Sequence, residues 1–119
     1  MEFRGFFVIL LVWVSGYAAA GGPPPPSSPE LIAKGGKTFR TSCASCHGNL
    51  GDGKSPVAGT LSPKPRNFVS EAFKFGNQPE QVFKTISEGS KGTAMPPFAF
   101  LPEGDRWGLV YYVLSLQKK

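Results

Sequence analysis

The sequence predicts an all-α domain of three or more helices wrapped around a group that the chain itself does not supply. Helix start and stop signals recur toward both ends of the folded part, and no strand pattern flanks its central motif. That motif is "TSCASCHGN" at 41–49, which holds both cysteines and the single histidine of the 119 residues. The folded unit of about 90 residues is near the size at which a chain alone buries barely enough surface to be stable, so a bound group is expected to complete its core.

Residues 1–20 read as a secretory signal peptide: Arg4 precedes the apolar stretch Phe6 to Tyr17, and Ala18-Ala19-Ala20 fit the cleavage pattern. That stretch of 12 residues falls short of the roughly 20 needed to span a bilayer. Glu2 weakens the positive start, which leaves an uncleaved membrane anchor as the alternative. Cleavage before Gly21 removes Arg4 and Glu2 together, so the net charge stays at +5. Such an excess suits nucleic acid, a membrane surface or an acidic protein. Export, to the periplasm, argues against nucleic acid.

Residues 21–28 open as "GGPPPPSS", with nothing apolar to bury and four prolines that favour an extended conformation, so they read as a tail or tether. The folded domain is expected over 29–119. Its first helix begins at "SSPE", where Ser27 or Ser28 caps, Pro29 suits the first turn and Glu30 faces the positive helix end. Gly35 and Gly36 inside this helix cost roughly 1 kcal/mol each relative to alanine, which points to close approach of another helix.

From Gly48 to Lys64 the chain has turn chemistry and no usable period, which predicts a long loop wrapped around something. "NQPEQVFKTISEG" predicts a second helix with Asn77 as cap, Glu80 three residues on, and Gly89 as the stop. A last helix is expected over 103–117, acidic in its first turn, with lysines just past its end. Its interior "WGLVYYVLSL" is apolar nearly all round, so it should be buried on most sides, and the period does not select a stripe.

Three chemistries compete for Cys43-Ala44-Ser45-Cys46-His47. Zinc needs four protein ligands in a structural site and three in a catalytic one, and three ligands crowded into five residues cannot surround an ion. A thioredoxin-like pair belongs at the start of a helix in a βαβ unit, whereas here a helix precedes the motif. A plain disulfide between positions three apart restrains little of the unfolded chain. C-x-x-C-H as a haem c attachment site uses every clustered position: each thiol forms a thioether with the haem, and His47 becomes the proximal iron ligand. With no second histidine, the sixth ligand falls to Met95 in "KGTAMPPFAF", a loop stiffened by two prolines, because Met1 leaves with the signal peptide. Methionine is more often a core gap-filler, but a Gly/Pro-bounded loop is a poor place for that.

Over roughly Pro29 to Leu116 the chain resembles the small class I c-type cytochromes. The resemblance rests on Cys43, Cys46 and His47, on Gly35 and Phe39 ahead of them, on "GTAMPPF" around Met95, and on Leu109 and Tyr112. It implies a cytochrome c-like fold around one covalently attached haem, in which the first helix crosses the last one at a stripe of Leu109, Tyr112, Val113 and Leu116. It also implies that the histidine donates to a backbone carbonyl, for which Pro56, Pro63 and Pro65 are candidate carriers. Arg66 is a candidate partner for a haem propionate, the alternative being a solvated surface arginine.

The expected function is therefore that of an exported monohaem electron carrier, low-spin with His47 and Met95 as axial ligands, and not an enzyme. Lys34, Lys37, Lys54, Lys64, Lys74, Lys84 and Lys91 are candidates for transient docking to acidic redox partners. A membrane association is expected only if residues 1–20 stay as an anchor. Two rivals remain: a haem enzyme or gas sensor with an open iron position, and a fixed subunit of a larger redox complex.

Overall fold

The computed structural model describes residues 22–117, so the expected signal peptide and Lys118 and Lys119 lie outside the described residues. Among those described, all regular structure is helical. Helix α1 spans Pro29–Ser42, α2 Ala44–His47, α3 Pro79–Glu88 and α4 Glu103–Ser115, and a single 3-10 turn at Ala58–Thr60 interrupts the loop between α2 and α3. This is the all-α architecture expected from the sequence.

Ser28, rather than Ser27, caps α1: its hydroxyl accepts the Leu31 N–H at 3.1 Å. The α3 boundary differs by one residue from the expectation. Gln78 is the N-cap, and Gln81 reaches back to accept the Gln78 N–H at 3.1 Å, in place of the expected Asn77 and Glu80. Pro79 decides this, since a proline fits the first helical position and makes the preceding residue the cap. Helix α4 ends two residues short of the expected 117, at Ser115.

Helices α1 and α4 meet backbone to backbone. A Cβ on Gly35 would lie 1.8 Å from the Gly108 carbonyl oxygen, and one on Gly108 would lie 2.9 Å from the Gly35 nitrogen. Gly36 leaves room for the Tyr112 ring, 3.1 Å from where its Cβ would be. Both glycines thus have a packing reason. We expect Gly35→Ala to destabilise the haem-loaded protein by about 3 kcal/mol, the upper part of the range for overpacking, because the obstacle is backbone. Denaturant unfolding checks this, and an unchanged midpoint would remove the crossing as a determinant.

Of the expected α4 stripe, Leu109 and Val113 are buried while Tyr112 and Leu116 are half-buried. The buried set extends to Trp107, Gly108 and the fully enclosed Val110, because α3 covers the flank that α1 leaves open. Phe83 of α3 stacks on Trp107 at 4.1 Å between ring centroids. Arg106 ties the same two helices, donating to the Ser87 hydroxyl at 2.7 Å and to the Leu101 carbonyl at 3.0 Å. The described part of the proline-rich segment runs mostly exposed across α4, where the Tyr111 hydroxyl donates to the Pro25 carbonyl. Among the described residues, no helix is long and apolar enough to cross a membrane.

Candidate cofactor site

The end of α1 and the single turn of α2 present the C-x-x-C-H motif as one rigid unit. The Cys43 N–H closes α1 on the Phe39 carbonyl at 2.9 Å, and the Cys43 carbonyl accepts from Cys46 at 3.1 Å and His47 at 2.9 Å. Both cysteines are free. Burial, with the Cys46 charge adding to it, pushes the Cys43 thiol up to about 12. A protonated thiol lacks the low-pKa thiolate on which a redox C-x-x-C depends, so this geometry argues against thioredoxin-like chemistry. Among the described residues, no group of three or more His, Cys, Asp or Glu is arranged to hold a metal ion directly.

The His47 Nδ1–H donates to the Arg66 carbonyl at 3.1 Å, which leaves Nε2 as the free donor atom of the ring. Burial lowers the imidazole pKa, and the Arg66 bond opposes this in part. The ring is therefore neutral at physiological pH, as a metal ligand must be. None of the expected carriers Pro56, Pro63 and Pro65 supplies the acceptor. The Pro65 carbonyl instead lies 3.0 Å from where a Gly53 Cβ would be, and the next carbonyl along the strap meets His47. Phe68, which no sequence signal marked, stacks on the imidazole at 4.5 Å and 26°. The Arg66 guanidinium is held by Glu71 at 3.1 Å, although the residue also lines the cavity.

Met95 arrives from the loop after α3. Gly89 ends that helix as expected, in a left-handed conformation at φ +74°, and a Cβ there would come within 2.8 Å of the Met95 carbonyl. The Ser90 N–H donates to that carbonyl at 3.2 Å, and the Met95 N–H to the Thr93 hydroxyl at 3.2 Å. Farther along, Phe98 N–H returns to the Ile86 carbonyl at 2.9 Å. The loop is thus pinned on both sides of Met95.

Cys43, Cys46, His47 and Met95 all line one cavity of about 350 Å³, whose walls include Phe39, Val82, Ile86, Leu109 and Val113. Its size lies within the range of cofactor pockets. An apolar cleft offering two thiols, one imidazole and one thioether fits a covalently held iron porphyrin in donor set and in polarity. Residues 30–113 match the family described as cytochrome c oxidase, cbb3-type, subunit III. The chain belongs to this family of c-type cytochromes.

Membership means that this cytochrome binds haem c covalently and takes part in electron transfer. Its fold is shared with a solved protein of the Kuenenia stuttgartiensis reducing HAO-like protein complex, at 29% identity and a TM-score of 0.63. The match covers 71% of this chain and 41% of that one, so the cytochrome spans less than half of that protein's length. Among curated proteins there is no match.

Proposed function

We propose that this cytochrome is an exported carrier of single electrons, with Cys43 and Cys46 as the thioether anchors and His47 and Met95 as the axial iron ligands. One observation carries the proposal: segments far apart in sequence, 43–47 and 95, place an imidazole and a thioether on the same apolar cavity that receives both thiols. The haem supplies a one-electron couple. The chain's part is to hold two strong ligands still, keep water from the cleft and raise the potential through the thioether. Potentiometric titration should give a single step with a slope of about 59 mV per decade, the one-electron value. A two-electron slope, or a spin-state change during the titration, would overturn the proposal.

Of the charged candidates, Lys64 and Lys74 line the cavity, and the exposed Phe75 joins them there with the Lys74 ammonium 5.1 Å from its ring centroid. Lys34 is paired with Asp105 at 3.0 Å. We place the docking site for acidic redox partners at Lys64 and Lys74. Electron transfer to a negatively charged small reagent should slow steeply with added salt, as the Debye length contracts to about 8 Å at physiological ionic strength. A positively charged reagent should show the opposite trend, and equal salt dependence for both would remove the basic docking face. Residues 1–20 belong to the same proposal as a cleaved leader to the periplasm, checked by a mature N-terminus at Gly21. The family description as an oxidase subunit, and a structural neighbour within a complex, favour a second reading as a fixed subunit. Co-purification of a stoichiometric partner that resists salt would establish it.

A further inference from the structure

The segment that carries the Arg66 carbonyl and the Phe68 ring belongs to no helix and holds only a turn over 68–70, yet it sets both contacts to the proximal imidazole. Its position is fixed from outside. The Gln117 amide, just past the end of α4, donates to the Phe68 carbonyl at 3.1 Å and to the Glu71 carbonyl at 2.9 Å. The Glu71 carboxylate in turn accepts from the Asn67 N–H at 2.9 Å and from the Arg66 guanidinium at 3.1 Å. One residue earlier, Leu116 packs so closely on Gly51 that a Cβ there would come within 2.5 Å of it, and the Gly51 carbonyl accepts the Phe68 N–H at 2.8 Å. Leu116 and Gln117, which follow α4 directly, therefore clasp the strap 66–71 from two sides, the first through Gly51 and the second by its own hydrogen bonds.

The same helix locates His47 itself, because its Gly108 crosses α1 at Gly35, and α1 runs directly into the C-x-x-C-H turn. We propose that Gln117 is a positioning residue for the proximal ligand: it holds the Arg66 carbonyl on the His47 Nδ1–H and the Phe68 ring on the imidazole face, and so tunes the reduction potential. The proposal rests on His47 ligating the iron. A firm Nδ1–H···O=C bond makes the imidazole a stronger donor, which favours the ferric state, while the stacked ring fixes the rotation of the imidazole plane. Loosening the clasp weakens that bond and raises the potential.

The test uses the full haem-loaded chain. Hyperfine-shifted His47 ring protons in the ferric wild type establish the ligand first, so that failure of the clasp is separable from failure of the ligation. Gln117→Met keeps the length of the side chain and removes both donors, whereas Gln117→Lys restores donors on a side chain of similar reach. In Gln117→Met, exchange of the His47 Nδ1–H should quicken about tenfold, as the loss of two ordinary hydrogen bonds allows. The potential should rise, amide exchange at Phe39 and Val110 should stay unchanged, and Gln117→Lys should return both readouts toward wild type. Phe68→Leu should redistribute the hyperfine shifts of the haem methyl groups. The proposal is overturned by unchanged ring exchange and potential in Gln117→Met. It is overturned equally if the ring proton quickens only in step with the Phe39 and Val110 amides, which marks general loosening.

Discussion

Replacing Cys43 and Cys46 together by serine should leave a chain that neither retains haem through denaturation nor reaches its helical fold. The reason lies in the inventory of the core. The cavity wall includes Phe68, Phe73 and Phe98, which the chain by itself only half buries. Covering an apolar side chain of this size is worth about 1.5–3 kcal/mol at full burial. The half that remains to be covered on three such residues is worth about 2–4.5 kcal/mol, a large share of the net stability of a small domain, about 5–15 kcal/mol. Covalent attachment keeps the covering group at the cavity, whereas a haem held only by coordination leaves with each opening. Far-ultraviolet circular dichroism and a haem-stained denaturing gel read the two effects separately. A doubly substituted chain with full helix content and haem on the gel would contradict both the thioether roles and the core argument.

Met95→Ala should keep the fold and change the iron. Alanine preserves the N–H and carbonyl that pin residue 95 to Thr93 and Ser90, so the loop keeps its anchors while the thioether is lost. The weak red absorption of a methionine-ligated ferric haem should vanish, and the potential should fall, because the thioether is the ligand that raises it. The reduced iron should then bind CO. An unchanged spectrum and potential in this variant would exclude Met95 as a ligand.

Features set by neighbours in the chain were legible in the sequence. The α1 cap, narrowed to Ser27 or Ser28, and the Gly89 stop depend on contacts within a few residues, and the structure places both within those bounds, while the α3 cap falls one residue on, at Gln78 and not at Asn77. Features that depend on what packs against a segment were not. Helix α4 is apolar on nearly every side, so its own pattern does not select the inward stripe, and only the packing around the helix encloses Val110 as fully as Leu109. Gly35 announced a close approach, but its partner Gly108 shows no mark in sequence beyond being another glycine. The acceptor for His47 lies 19 residues away across an aperiodic loop, where the choice between Pro65 and Arg66 turns on how that loop meets Gly53. Gln117 is farther still, and nothing local distinguishes it from a solvated helix end.

The most direct measurement is the visible spectrum of the reduced wild-type protein before and after exposure to CO, with the ferric spectrum beside it. A chain that holds His47 and Met95 on the iron should show the red methionine band when oxidised and no change on adding CO when reduced, since both axial positions are filled. A reduced wild-type protein that binds CO at once, with no methionine band in the ferric form, would contradict the closed electron carrier and favour a haem enzyme or gas sensor.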